Sequence, residues 1–147
     1  IQGGVDMNIK EYLSRFHFID LKVIRLKDLY DDYIRQSESI PGVSFDHIRV
    51  SGTKSIEAPF VKWIHKAFDV EIEINELEKK LPFLKIEIMS TIDELEDYQC
   101  KRLLIYRYID WMSWKEIADK MYYSTATIRR WHDKSLIKLS EMNNEQG

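Results

Sequence analysis

The chain has 147 residues, of which 44% are hydrophobic and 32% charged, and its formal net charge is −3. This composition is typical of a folded, helix-rich protein and argues against a disordered one. No apolar run approaches the ~20 residues that a membrane-spanning helix needs, and we see no secretory signal. Cys100 is the only cysteine, which excludes a disulfide within the chain and suits a reducing compartment.

Charge is distributed unevenly along the chain. Residues 99–139 contain nine lysines and arginines but four acidic residues, a net charge of +5, whereas residues 1–98 carry a net charge of −6. Nucleic-acid binding responds to a local basic face more than to the total charge. The C-terminal segment is therefore a candidate nucleic-acid interface although the whole chain is acidic.

The N-terminal half begins with a long amphipathic pattern. We interpret residues 1–6, which precede it, as a cloning remnant that lies outside the fold. Apolar residues recur at steps of three and four across residues 8–36, which predicts one long helix. Residues 37–56 lose this period and contain Pro41 and two glycines, so we expect a loop there, with a short strand or turn at residues 47–50 left open.

A second apolar stripe starts near Glu57 and keeps heptad spacing as far as Leu95. Pro82 falls inside this stripe, and its missing N–H predicts a kink or a break in the helix. Two helices joined by a long loop predict an antiparallel hairpin over residues 7–96. Its core is thin, so the hairpin either packs on the C-terminal segment or forms a homo-oligomer, and we favour a dimer. The aromatic residues that we assign to its core are Phe16, Phe60, Trp63 and Phe68.

Residues 97–140 predict a module of three helices, followed by a tail at residues 141–147. The first of these helices covers residues 97–109. Ser113 and Glu116 then have the spacing of a capping box, which predicts the start of a short second helix that ends near Met121.

The short helix and its successor have the layout of a helix-turn-helix DNA reader. Tyr122 and Tyr123 form the predicted turn, and Ser124 or Thr125 caps a last helix that continues to about residue 139. The sequence therefore predicts an all-α fold, in which a long helical hairpin precedes a three-helix helix-turn-helix module.

The last helix carries the residue types that recognition helices use. Arg129 and Arg130 point outward near its N-terminal end, where an arginine can donate two hydrogen bonds to guanine. Ser124 and Thr127 suit phosphate oxygens at a helix N-terminus. The alternative for the two arginines is an ordinary solvated helix face, and we expect His132 to pack rather than to read a base. The predicted DNA-binding residues are Ser124, Thr125, Thr127, Arg129, Arg130, Lys134 and Lys115.

These residues resemble two known groups of DNA readers. Residues 93–139 look like region four of bacterial sigma factors, which reads the −35 promoter element. The chain from Met7 onward resembles the ArpU/RinA-type phage regulators of Gram-positive bacteria, and the matching segments are 7–13, 87–90, 107–109, 113–118 and 123–124.

The resemblance implies an activator of phage late genes. Such a protein binds double-stranded DNA and acts with host RNA polymerase in the bacterial cytoplasm. It uses the recognition-helix positions that Ser124, Thr125, Thr127, Arg129 and Arg130 occupy here. These modules often have glycine where this chain has Tyr122, so we expect strain or a different turn at that residue.

Two other functions stay open. A small-terminase-like subunit of phage DNA packaging also joins a helix-turn-helix to oligomerisation helices, and a large ring of copies would favour it. The second alternative is a protein-interaction module without DNA affinity. Weak binding to DNA that does not change with salt concentration would favour it. We expect neither an enzyme nor a metal or cofactor site, because the four histidines lack metal-ligand spacing and no glycine-rich phosphate loop is present.

Overall fold

The computed structural model describes residues 8–39 and 58–146, and within those ranges the only regular secondary structure is α-helix. The predicted all-α class, a hairpin of two long helices followed by a three-helix module, is confirmed. The helices are α1 (Ile9–Ser39), α2 (Pro59–Ile92), α3 (Tyr98–Tyr108), α4 (Trp114–Met121) and α5 (Thr125–Gln146).

Two predictions for the hairpin need correction, the end of its first helix and the break in its second. Helix α1 continues to Ser39, so residues 37–39 of the predicted loop are helical. The rest of that loop, the open strand or turn at 47–50 and the interpreted cloning remnant at 1–6 all lie outside the described residues. Of the kink or break predicted at Pro82, the break is absent, because α2 continues through this residue without interruption. The proline removes a single backbone hydrogen bond, and buried residues of α2 lie both before it (Ile74) and after it (Ile88).

The last helix is also longer than predicted. We expected α5 to end near residue 139 and a tail to follow, but the helix continues to Gln146. No glycine or proline occurs between Thr125 and Gln146 to stop it. In addition, Met142 packs against the same apolar cluster as Leu139, which extends the buried face of α5 beyond residue 139.

The chain divides into two compact units. Of the described residues, 8–20 and 80–146 form the terminal unit, and 21–39 and 58–79 form the central unit. Both α1 and α2 contribute to each unit.

The central unit pairs the second half of α1 with the first half of α2. Tyr33 contacts Trp63 with ring centroids 5.9 Å apart, and Lys22 forms a salt bridge with Glu73 at 3.3 Å. The earlier residue of α1, Lys22, pairs with the later residue of α2, Glu73, whereas Tyr33 pairs with Trp63. The two helices are therefore antiparallel here, as predicted. The buried apolar residues of this unit are Val23, Ala67, Val70 and Ile74.

Two of the aromatic residues that we assigned to the hairpin core are on the surface. Phe60 is 44% exposed and Phe68 is 52% exposed, so that interpretation was wrong for both. Helix α2 carries apolar side chains on more than one face, and periodicity alone does not identify the face that packs. Phe16 and Trp63 are half-buried, in agreement with the prediction.

The terminal unit contains two apolar clusters. The first joins the N-terminal end of α1 and the C-terminal end of α2 to helices α3 and α5, and it consists of Leu13, Ile88, Ile92, Leu95, Leu104, Tyr108 and Leu139. The second holds α3, α4 and α5 together and consists of Leu103, Ile117, Ala118, Met121 and Ile128. Full burial of each aliphatic side chain of this size stabilises a fold by roughly 1.5–3 kcal/mol. The two clusters therefore fix the position of α5.

Candidate nucleic-acid interface

Helix α4 and the turn after it are set by local hydrogen bonds. The backbone N–H of Glu116 donates to Ser113 Oγ at 3.1 Å, and the N–H of Ser113 donates to Glu116 Oε1 at 2.9 Å, so the predicted capping box is confirmed. These bonds hold the pKa of the Glu116 carboxyl below its usual value. At the other end, Tyr122 adopts the left-handed conformation, and its N–H donates to the carbonyl oxygen of Ala118.

Ser124 caps α5, which decides between the two residues that we considered. The N–H of Thr127 donates to Ser124 Oγ at 3.1 Å, and the Ser124 hydroxyl donates to Thr127 Oγ1 at 3.0 Å. Arg130 Nη2 also donates to Thr127 Oγ1, at 3.3 Å. Three of the predicted DNA-binding residues therefore lie together at the N-terminal end of α5. The hydroxyl hydrogen of Ser124 is already used in this cluster, whereas that of Thr127 stays available to a phosphate oxygen.

The outward face of α5 begins directly after this cap. Thr125, Ala126, Arg129, Arg130 and Asp133 are all exposed, as predicted. Among the described residues, Arg129 has no ion pair or hydrogen bond, and its guanidinium carbon lies 5.6 Å from the centre of the Trp114 ring. Its five N–H donors are therefore free for a ligand.

The two predicted lysines, Lys115 and Lys134, occupy different places. Lys115 is exposed in the first turn of α4. Lys134 and Lys138 line a groove of about 570 Å3 between the start of α3 and the second half of α5, where they face Glu96 and Asp97. A helix turns by about 100° per residue, so Lys138, nine residues after Arg129, lies on the opposite side of α5. Lys134 is closer in angle to Arg130 and is the better candidate for a flanking phosphate.

A buried polar pair supports α5 from the inside. His132, which we expected to pack, is only 4% exposed, and its Nε2 lies 2.6 Å from the hydroxyl oxygen of Tyr108. Burial lowers the pKa of His132, against the opposite effect of its neighbour Asp133. Burial likewise raises the pKa of Tyr108 to about 12. Both side chains are therefore uncharged near neutral pH and hold α3 and α5 together by a neutral hydrogen bond.

A column of aromatic and arginine side chains runs from α1 to α4. His17 stacks on Trp111 with ring centroids 3.7 Å apart, and the guanidinium carbon of Arg107 lies 5.0 Å from the Trp111 ring and 4.3 Å from the Trp114 ring. Arg107 Nη1 also donates to the carbonyl oxygen of Met112 at 2.9 Å. We did not predict this arrangement. Arg107 and Trp111 have the i, i+4 spacing of neighbours on a helix surface. Trp111 lies beyond the end of α3, however, so this spacing did not predict their contact.

Other kinds of site are not evident in the described ranges. No group of three or more histidine, cysteine or acidic side chains there could hold a metal ion. No helix in residues 8–39 or 58–146 has both the length and the apolar character that crossing a membrane requires.

The described residues define an all-α protein whose last three helices pack together around a shared apolar cluster. Residues 39–140 match the model of a protein family described as a protein of unknown function, DUF1492, and the chain belongs to that family. No curated protein and no solved structure shows a significant match to the chain.

Proposed function

We propose that the protein is a sequence-specific DNA-binding regulator of transcription, which inserts the N-terminal half of α5 into the major groove. The observation that carries the proposal is the exposed Arg129–Arg130 pair on the first two turns of α5, directly after the Ser124 cap. Recognition helices in helix-turn-helix proteins contact base edges with their N-terminal residues.

The chemistry of this end of α5 suits DNA in two ways. A guanidinium group matches the O6 and N7 acceptors of guanine, so Arg129 can specify a base. The helix N-terminus and the Thr127 hydroxyl favour a phosphate oxygen, which positions the helix on the duplex. The net charge of +5 over residues 99–139 adds a general attraction to the DNA backbone.

The biological setting is also part of the proposal. The resemblance to sigma-factor region four and to ArpU/RinA-type regulators supports activation of phage late genes with host RNA polymerase. The hairpin supports self-association, and a dimer would place two recognition helices on two half-sites. Sedimentation would separate this from a DNA-packaging subunit, for which we expect a large ring.

The test is selection of bound duplexes from a random DNA pool, followed by affinity measurements on the enriched sequence. We expect Arg129→Ala combined with Arg130→Ala to weaken specific binding by at least ~2 kcal/mol, about 30-fold, because two potential base contacts are lost. The melting temperature should stay unchanged, since both side chains are exposed. Arg25→Ala, which removes an exposed arginine from the central unit, is the matched control and should bind as the parent does.

Two results would contradict the proposal. One is the absence of any enriched sequence with the parent protein. The other is an affinity that does not change with salt concentration, because phosphate contacts release counterions and weaken steeply as salt rises. Either result would favour a protein-interaction module.

A further inference from the structure

The side chain of Trp114 makes contacts on several sides that together fix its ring. It lies at the first position of α4, is half-buried and packs against the second apolar cluster. His132 meets it edge-on, with ring centroids 4.7 Å apart. The guanidinium of Arg107 lies over it at 4.3 Å, and Arg107 is itself anchored on the carbonyl oxygen of Met112. A tryptophan held in this way presents a rigid aromatic surface.

The exposed side chain of Arg129 lies close to this ring. Its guanidinium carbon lies 5.6 Å from the centre of the Trp114 ring, within the range of a cation–π interaction. A free arginine side chain samples many rotamers, and a binding protein loses free energy when it orders such a side chain at an interface. A guanidinium held by a cation–π contact still has its N–H donors available for hydrogen bonds.

We propose that Trp114 is a positioning residue, which holds the Arg129 guanidinium ready to contact a guanine in the major groove. This inference rests on the proposed function, because the ligand is a DNA base. Trp114 acts through Arg129 and need not touch DNA. Arg130 is held differently, through Thr127, so the two arginines of the pair are not equivalent.

The first test is a double-mutant cycle on the affinity for the selected duplex. We expect Trp114→Leu to weaken binding about two- to fivefold in the parent, which is the value of one cation–π contact at an exposed site. In the Arg129→Ala background the same substitution should have no effect, because the side chain that Trp114 positions is gone. Trp114→Phe, which keeps an aromatic face, should restore part of the loss. An equal loss in both backgrounds would overturn the proposal.

Trp131→Leu is the matched control for the cycle. Trp131 is half-buried against the same apolar cluster, but its ring contacts Tyr123, at 4.6 Å between centroids, rather than an arginine. Any effect of Trp131→Leu should therefore be the same with and without Arg129. If Trp131→Leu showed the same dependence on Arg129 as Trp114→Leu, the coupling would reflect general packing, and the proposal would fail.

The second test needs no DNA and separates this inference from the proposed function. In the arginine side-chain NMR spectrum of the free protein, the Nε–Hε signal of Arg129 should be shifted by the ring current of Trp114. Trp114→Leu should remove the shift, while the Arg130 signal should not change. If Trp114→Leu does not fold, Trp114→Phe should show a reduced shift. An Arg129 signal at the position of a free arginine in the parent would overturn the positioning contact, whether or not the protein binds DNA.

Discussion

Tyr122 adopts the left-handed backbone conformation, which is sterically unfavourable for a residue with a Cβ atom. Its φ is 63° and its ψ is 41°, in the left-handed region, and the residue is 91% exposed. A residue with a Cβ atom in this region is destabilised by about 1 kcal/mol relative to glycine. We expected either strain or a different turn at this position, and the structure retains the left-handed conformation. The turn is kept because the amides of Tyr122 and Tyr123 both donate to the carbonyl oxygen of Ala118.

Tyr122→Gly should therefore stabilise the protein. We expect a gain of about 0.5–1 kcal/mol, since relief of the left-handed conformation exceeds the extra entropy that glycine adds to the unfolded chain. Thermal unfolding followed by circular dichroism would measure it. Tyr122→Ala keeps the Cβ atom and is the control, which should not show the gain. A glycine variant that is less stable than the parent would show that the exposed tyrosine ring makes a stabilising contact.

Helix α4 has eight residues, which is too short to be stable by itself. Its position depends on burial of Ile117, Ala118 and Met121 and on the capping box at its N-terminal end. The cap satisfies amides that would otherwise lose their partners when the helix forms. Because α4 and α5 pack through the same cluster, a weaker cap on α4 should also loosen α5.

Ser113→Ala should lower the free energy of unfolding by about 1 kcal/mol, the usual value for the loss of an N-cap side chain. Ser113→Thr keeps the hydroxyl acceptor and should retain most of the stability. Chemical denaturation with urea would compare the three proteins, with the same dependence on denaturant expected for each. Equal stability of the alanine variant and the parent would mean that burial alone fixes α4.

Helix starts were easier to predict than helix ends in this chain. Ser113 and Ser124 identify the starts of α4 and α5 because a cap is a local interaction between a side chain and the next turn. The end of α5 depends on the packing of Met142 against a cluster from distant segments, which periodicity does not contain. The exposure of Phe68 was missed for the same reason. The apolar stripe of α2 did continue through Pro82, and the proline alone suggested a break there.

In the candidate site, too, local features were predicted from the sequence and contacts between distant segments were not. Exposure of Arg129 and Arg130 follows from the helical period of α5 once its buried stripe is known. The contact between Trp114 and Arg129 joins two helices through the packing of α4 on α5, so no sequence spacing indicates it. The Tyr108–His132 hydrogen bond spans 24 residues and required the structure as well.

At the scale of the whole molecule, this buried Tyr108–His132 pair influences stability at both ends of the pH range. The pKa of His132 is lowered by burial, and Lys10 and Arg107 act in the same direction. The folded protein therefore binds this proton less readily than the unfolded chain, and stability that is present above pH 6.5 is lost as the pH falls below that value. Burial lowers the pKa of His17 in the same direction, so it adds to the acid loss.

Tyr108 has the opposite effect at high pH. Burial raises its pKa from 10.0 to about 12, so its neutral form is favoured in the folded protein. The stability that depends on this group is complete below pH 10 and is lost as the pH rises toward 12, by at most roughly 2–3 kcal/mol. We therefore expect a plateau of stability between about pH 7 and 9.5, with a decline on each side.

Melting temperatures measured across the pH range should separate the two groups by substitution. His132→Gln should make the acid decline shallower, with a remaining part from His17, and should leave the alkaline decline in place. Tyr108→Phe should flatten the alkaline decline, although the loss of its hydrogen bond to His132 lowers stability at every pH. Asn75→Gln, which changes an exposed side chain of the central unit that does not titrate, is the control and should follow the parent curve. If His132→Gln and the parent declined identically below pH 6.5, the acid loss would have to come from His17 and from carboxylates such as Glu87, whose pKa is lowered by hydrogen bonds from Tyr12 and Arg15.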